Sequence, residues 1–124
     1  MSTWRRKAID CLPELRNEFE DKEISIYTVF TELLPATVEA HKTNNTEQLK
    51  KCYDFAEWCF RQKEKDLWNA AGVSFYEHLG DYEETLHAMP RWIKPDIYID
   101  VRVLLELRLS EKELQKLDGR YAFH

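Results

Sequence analysis

Glu84 and His87 are three positions apart, which would place a carboxylate and an imidazole on adjacent turns of a helix. Di-iron helix bundles use two motifs of this spacing together with two further glutamates. The chain contains a single such motif. We therefore predict a solvated helix face at this position, with no metal and no cofactor. The alternative is a carboxylate–histidine metal-binding enzyme on a helical bundle.

The three cysteines, Cys11, Cys52 and Cys59, are the other candidate metal ligands. Cys52 and Cys59 are seven residues apart and would share one helix face, whereas zinc motifs use closer pairs and four ligands. Free cysteine behaves as a small buried hydrophobe, and an odd number argues against a disulfide framework. We expect reduced thiols in a cytoplasmic protein, with Cys52 and Cys59 in the core.

No local signature connects a cysteine or serine with a histidine, as nucleophilic catalysis would require. A glycine-rich phosphate loop and a G-x-S-x-G motif are also missing from the sequence. No apolar run reaches the roughly 18 residues of a membrane span, and no apolar stretch follows the basic N-terminus as in a signal peptide. We predict a cytoplasmic protein that is not an enzyme, has no catalytic residues and has no membrane partner.

The most unusual feature of the charge pattern is a gap in the basic residues, because no lysine or arginine lies between Lys65 and Arg91. The gap contains five acidic residues, and the chain as a whole has 23 acidic and 18 basic residues, a net charge of −5. The rest of the chain is therefore balanced. A surface of one sign is suited to docking a basic protein and unsuited to nucleic acid. The simpler alternative is a solvated face. The acidic residues are Asp66, Glu77, Asp81, Glu83 and Glu84.

Asp54, Glu57 and Trp58 could extend this docking surface. Glu57 lies within a mostly apolar segment, where a charged side chain is unusual. The alternative is a pair with Arg61 one turn along the helix, worth a few tenths of a kcal/mol. We predict a partner-binding surface made of Glu77, Asp81, Glu83, Glu84, Asp54, Glu57 and Trp58.

The elements that must position these residues are predicted to be helices. A chain of 124 residues predicts one domain, residues 1–124. Three glycines and four prolines leave few sites for tight hairpins, which argues against an all-β fold. The sequence predicts an all-α domain of six or seven short helices, packed as an irregular bundle or a small helical-repeat-like array.

Capping residues and apolar periodicity give the expected helix limits in the first two thirds of the chain. Pro13 divides the first helical segment into two pieces. Ser25 caps a helix that continues through Pro35 to His41, and Asn45 begins one that ends near residue 62. Phe55 and Trp58 lie off the main apolar face of this last helix, which predicts a central helix with several neighbours. A fourth helix is expected from Asp66 to Gly80.

The last third of the chain is predicted to contain three further helices. A short helix over residues 81–89 is expected to end at Pro90. Residues 97–103 alternate as in a strand, but also fit a helix; because no partner strand is available, a helix is favoured. Ser110 and Glu113 form a capping box for a last helix that Gly119 should stop. Residues 120–124 are expected to be a tail.

Three stretches resemble a family of small bacterial all-helical domains of unknown function, similar in look to toxin-immunity proteins. They are residues 25–35, 53–60 and 73–79. The resemblance implies a helical-repeat-like arrangement and an immunity-type role, and it implies no catalytic residues.

Together these features predict a non-enzymatic protein-binding domain, of the immunity type, that covers a basic partner such as a toxin through its acidic face. A homodimeric structural subunit is a further alternative. The oligomeric state does not follow from the sequence.

Overall fold

The computed structural model describes residues 1–121, which form eight α-helices and two 3₁₀-helical turns, with no β-strand among them. The all-α prediction is confirmed, with one or two more helices than expected. The helices are α1 (Thr3–Cys11), α2 (Arg16–Phe19), α3 (Ile26–Lys42), α4 (Thr46–Phe60), α5 (Lys65–Ser74), α6 (Glu83–Trp92), α7 (Pro95–Leu105) and α8 (Glu111–Arg120). The 3₁₀ turns are Pro13–Leu15 and Tyr76–Asp81.

Pro13 separates α1 from α2 as expected, at the first position of the 3₁₀ turn between them. This position suits proline, because its missing N–H would be unsatisfied in any case. Arg5 on α1 then fixes the acidic loop that follows α2. Its guanidinium donates to the backbone carbonyls of Phe19, Asp21 and Ile24.

The predicted caps of α3 and α4 are present. The Ser25 hydroxyl accepts from the Thr28 N–H, and the Asn45 side chain accepts from the Gln48 N–H at 3.1 Å. Pro35 lies inside α3, which continues to Lys42. Helix α4 packs against α1, α3 and α5, which confirms its central position.

The core contains aromatic rings from several elements. Phe30 of α3 lies 5.7 Å from Phe55 of α4 and 6.0 Å from Phe75, measured between ring centroids. Tyr53 of α4 stacks on Trp92 of α6 at 5.2 Å. These contacts bury α4 on both faces, which explains why its apolar surface is so wide.

The predicted limits of the fourth helix were wrong at both ends. Helix α5 ends at Ser74, and Gly80 lies in the following 3₁₀ turn. Asp66 lies in the first helical turn, and Glu64 occupies the cap position without a side-chain cap hydrogen bond. A Cβ on Gly80 would lie 2.9 Å from Leu109 Cδ2, so glycine is selected here by packing. Gly72 is also close to another helix, because its Cβ would lie 3.3 Å from Leu104 Cδ1.

Pro90 does not end α6, which continues to Trp92. The proline removes a single hydrogen bond near the C-terminus of the helix. The Trp92 ring stacks on Tyr53. Ile93 is buried, and its N–H donates to the Met89 carbonyl at 2.8 Å. Packing of the last turn therefore outweighs the lost bond.

Residues 97–103 are helical, as favoured, within α7, and Pro95 takes the first helical position. The Ser110–Glu113 capping box is present at the start of α8. Gly119 does not stop this helix, which includes Arg120. Tyr121 is also held, with its hydroxyl donating to the carbonyls of Met89 and Ile93. Arg120 and Tyr121 are thus part of the fold, and the rest of the expected tail lies outside the described residues.

Candidate functional site

Asp81, near the centre of the predicted acidic surface, is paired with a cation from a distant part of the chain. The Arg108 guanidinium donates to both carboxylate oxygens, at 2.9 and 2.7 Å. The Arg108 hydrogen bond, with a smaller contribution from His78, holds the pKa of the Asp81 carboxyl below its usual range. The expectation of an acidic surface without compensating bases is therefore wrong at this residue.

Glu57 is paired in the same way. Its Oε2 accepts from Arg61 Nε at 3.0 Å and from Lys94 Nζ at 2.8 Å. Partial burial raises the pKa of Glu57, but the hydrogen bonds from Lys94 and Arg61 outweigh this effect and the pKa is lowered overall. The Arg61 pair was one of the two sequence interpretations, whereas Lys94 enters only through the tertiary fold.

Asp54 and Trp58 face a cleft between α1 and α4. Asp54 pairs with Lys50 on its own helix. The Lys7 ammonium lies 5.1 Å from the centroid of the Trp58 ring. Both residues thus have basic neighbours, and they line a different part of the molecule from the Asp81–Arg108 pair.

Glu83 and Glu84 have no ion-pair partner within residues 1–121. They occupy the first turn of α6, where the helix dipole favours negative charge. Glu77 is mostly buried, with its Oε2 3.8 Å from His78 Nε2. Of the predicted acidic face, Glu83 and Glu84 are the residues without an ion pair among the described residues, although Glu83 lines a cleft together with Lys116 and Arg120.

The Glu84–His87 motif is not part of a larger ligand cluster. Residues 1–121 contain no group of three or more His, Cys, Asp or Glu side chains placed to hold a metal ion. The His87 backbone carbonyl accepts a hydrogen bond from Arg120, so this turn of α6 holds the end of α8.

A second surface was not predicted from the sequence. Ile99, Val103 and Leu107 are aliphatic residues spaced four apart, and they are 61%, 62% and 72% exposed. We call these three residues the α7 apolar strip. Ile97, Val101 and Leu105 occupy the buried side of the same helix. Apolar residues on both sides of α7 produce the alternation that resembles a strand, and this spacing was the signal that could have revealed the strip.

An apolar groove of about 220 Å³ continues the strip toward α5. Trp68, which is exposed, and Val103 line it together with Gly72 and Leu104. Asp100 also lines the groove, and Asp66 lies one turn before Asn69, another lining residue. Neither aspartate has an ion pair among the described residues. The surface thus combines an apolar centre with uncompensated acids.

Residues 5–106, most of the chain, match the domain of unknown function DUF7674. The chain belongs to the DUF7674 family. The match includes every helix from α1 to α7, apart from the first two residues of α1, and the α7 apolar strip except for Leu107. Helix α8 lies beyond it. No curated protein and no solved structure shows a significant match to the chain.

The family assignment agrees with the resemblance to helical domains of unknown function. No helix within residues 1–121 has the length and apolar character needed to cross a membrane.

Proposed function

We propose that this DUF7674 domain is a non-enzymatic protein-binding module whose contact surface is the α7 apolar strip and the adjoining groove. The observation that carries the proposal is the exposure of three aliphatic side chains at four-residue spacing, of which Ile99 and Val103 lie on α7 and Leu107 lies in the turn that follows it. The core does not need them, since α7 already buries four residues on its other side. A row of exposed apolar residues beside a groove is typical of interaction surfaces.

The charges around the strip favour a basic partner. Asp66 and Asp100 carry no ion pair among the described residues, and the chain has a net charge of −5. A partner with apolar residues flanked by lysine or arginine would cover the strip and meet these carboxylates. Opposite charges at the edge of an interface mainly increase the association rate and the specificity.

Site-specific photo-crosslinking in cells tests the proposal. A photoreactive amino acid is placed at Val103, and in a matched control at Glu32, which is exposed on α3. The Val103 probe is expected to give a discrete adduct that the Glu32 probe does not. Val103→Lys should then weaken binding of the purified partner by about tenfold or more, the size typical of a central interface residue. Equal crosslinking from both positions would contradict the proposal.

The same experiment separates a foreign partner from a second copy of the chain. An adduct of two identical chains would support the homodimeric structural subunit instead. Because Asp66 and Asp100 would bring like charges to such an interface, we expect a foreign partner.

A second candidate surface is the acidic turn formed by Glu83 and Glu84, which have no ion pair among residues 1–121. It supports the more specific proposal of an immunity-type protein that covers a basic toxin. Asp81 and Glu57 are less suited to this role, because Arg108 and Lys94 already neutralise them.

A further inference from the structure

Two of the three cysteines meet at the contact between α1 and α4. Cys11 is the last residue of α1, and its thiol is a hydrogen-bond partner of the Cys52 thiol. Gln48 connects the same two residues, since its Nε2 donates to the Cys11 carbonyl at 3.1 Å and to Cys52 Sγ at 3.4 Å. The pair is thus part of a polar cluster inside an apolar contact.

The two thiols differ in access to solvent. Cys11 lines the cleft of about 280 Å³ between α1 and α4, between Lys7 and Lys51. Cys11 is itself only 4% exposed, and Cys52 does not line this cleft and is fully buried. A small molecule entering the cleft would therefore meet Cys11 first, with Cys52 in contact behind it.

Proton sharing makes this pair more reactive than an ordinary buried thiol. The hydrogen bond between the two thiols lowers the pKa of Cys52 and raises the pKa of Cys11, so the pair releases its first proton readily and retains its second. The thiolate therefore forms on Cys52, and it can accept the Cys11 proton as the Cys11 sulfur reacts. At Cys59, which lacks a thiol partner, burial raises the pKa to about 12.

We propose that Cys11 and Cys52 form a reversible intramolecular disulfide when a hydroperoxide enters the α1–α4 cleft. This inference rests on the thiol pair alone and is independent of the proposed function.

The chemistry takes two steps. The Cys11 sulfur attacks the terminal oxygen of the hydroperoxide, the O–O bond breaks, and Cys11 becomes a sulfenic acid while an alcohol or water leaves. The Cys52 sulfur then attacks the Cys11 sulfur, forming the S–S bond as the S–O bond breaks. The hydroxide leaves with the Cys52 proton as water. Each cysteine loses one electron, the hydroperoxide takes up both, and a dithiol reductant reverses the change.

The test is oxidation of the native full-length protein with hydrogen peroxide, followed by alkylation, trypsin digestion and mass spectrometry. Trypsin places Cys11 in the peptide of residues 8–16, and both Cys52 and Cys59 in the peptide of residues 52–61. We expect these peptides to be linked, with fragmentation assigning the bond to Cys52 and Cys59 alkylated. Dithiothreitol should restore three alkylated cysteines, and the helical circular dichroism should be unchanged throughout.

Variants provide the matched control. Cys59→Ala should still form the linked peptide, whereas Cys52→Ala removes the thiol partner and should leave Cys11 reduced and alkylated. The closed loop should raise the Tm of the oxidised wild-type protein by about 5 °C or more. A bond from Cys11 to Cys59, equal oxidation of all three cysteines, or no linked peptide in the wild-type protein would overturn the proposal, whether or not the variants fold.

Discussion

At the scale of single residues, ion pairs between distant parts of the chain are the main feature of this domain. Asp81 binds Arg108, Glu57 binds Lys94, and Asp118 binds Arg102. In the last pair, Asp118 accepts two hydrogen bonds from the guanidinium and one from the Tyr98 hydroxyl. These bonds join α8 to α7. The stability of the domain therefore depends on the ionisation of these carboxylates.

Acid is therefore expected to weaken the attachment of α8. The hydrogen bond from Arg102 holds the pKa of the Asp118 carboxyl below its usual value, which is about 3.9 in an unfolded chain. Because the folded pKa is the lower one, the stabilisation is fully present above the unfolded pKa. It is lost as the pH falls through the folded pKa.

Asp118→Asn should remove this effect. Since the pair is about one third exposed, we expect a loss of about 1 kcal/mol in the free energy of unfolding near neutral pH. The difference from the wild type should shrink at an acidic pH below about 3.9, the unfolded pKa, because protonation of the carboxylate removes the interaction. Urea unfolding at both pH values measures this, with Glu111→Gln, exposed on the same helix, as the control. A difference that stays constant with pH would contradict the prediction.

At the scale of elements, the helix limits were decided by packing as much as by local signals. Gly80 and Gly119 were both expected to end a helix, yet Gly80 lies in a 3₁₀ turn against Leu109, and Gly119 lies within α8. Neither glycine has a positive φ angle. Only at Gly80 does a neighbouring side chain occupy the space that a Cβ would fill.

The two glycines should therefore respond to alanine in opposite directions. Gly119→Ala adds a methyl group with nothing within 4 Å, and should stabilise the domain by about 0.5–1 kcal/mol through helix propensity. Gly80→Ala forces a shift of the buried Leu109 side chain, and should destabilise by about 1–3 kcal/mol. Thermal and urea unfolding of both variants measure the two effects. Destabilisation by Gly119→Ala would mean that the end of α8 is constrained in a way that the structure does not show.

At the scale of the whole molecule, the charge gap between Lys65 and Arg91 does not become a uniformly acidic face. Cations from outside the gap reach into it, and Arg108 is the clearest example. The acidic residues of the gap that have no ion pair among the described residues are Glu83 and Glu84 on α6, and Asp66 on α5. They therefore lie on two different helices.

Reversal of charge at the α6 site tests the immunity-type proposal. Glu83→Lys combined with Glu84→Lys should slow association with a basic partner and flatten the dependence of the association rate on salt. The matched control reverses Glu47, which is exposed in the first turn of α4, together with Glu32. Asp81 is left unchanged, because its reversal would oppose Arg108 and destabilise the fold. Unchanged association kinetics in the α6 variant would exclude this face as the interface.

Local patterns in the chain were sufficient to predict the all-α class, most helix starts and the burial of Cys52 and Cys59. These features depend on local periodicity, on caps such as Ser25 and the Ser110–Glu113 box, and on the number of apolar residues. Such signals lie within one helix, and so they can be read without knowing what the helix contacts. The helical state of α7 also followed, because a lone strand could not satisfy its backbone.

Tertiary contacts determine which charges remain unpaired, which cysteines meet and which apolar residues stay exposed. Arg108 and Asp81 are 27 residues apart, and Cys11 and Cys52 are on different helices. Helices α6 and α8 also continued past Pro90 and Gly119, because packing outweighed the local signals. Contacts of this kind depend on how the helices pack against each other. The residue pattern within one segment does not determine that packing.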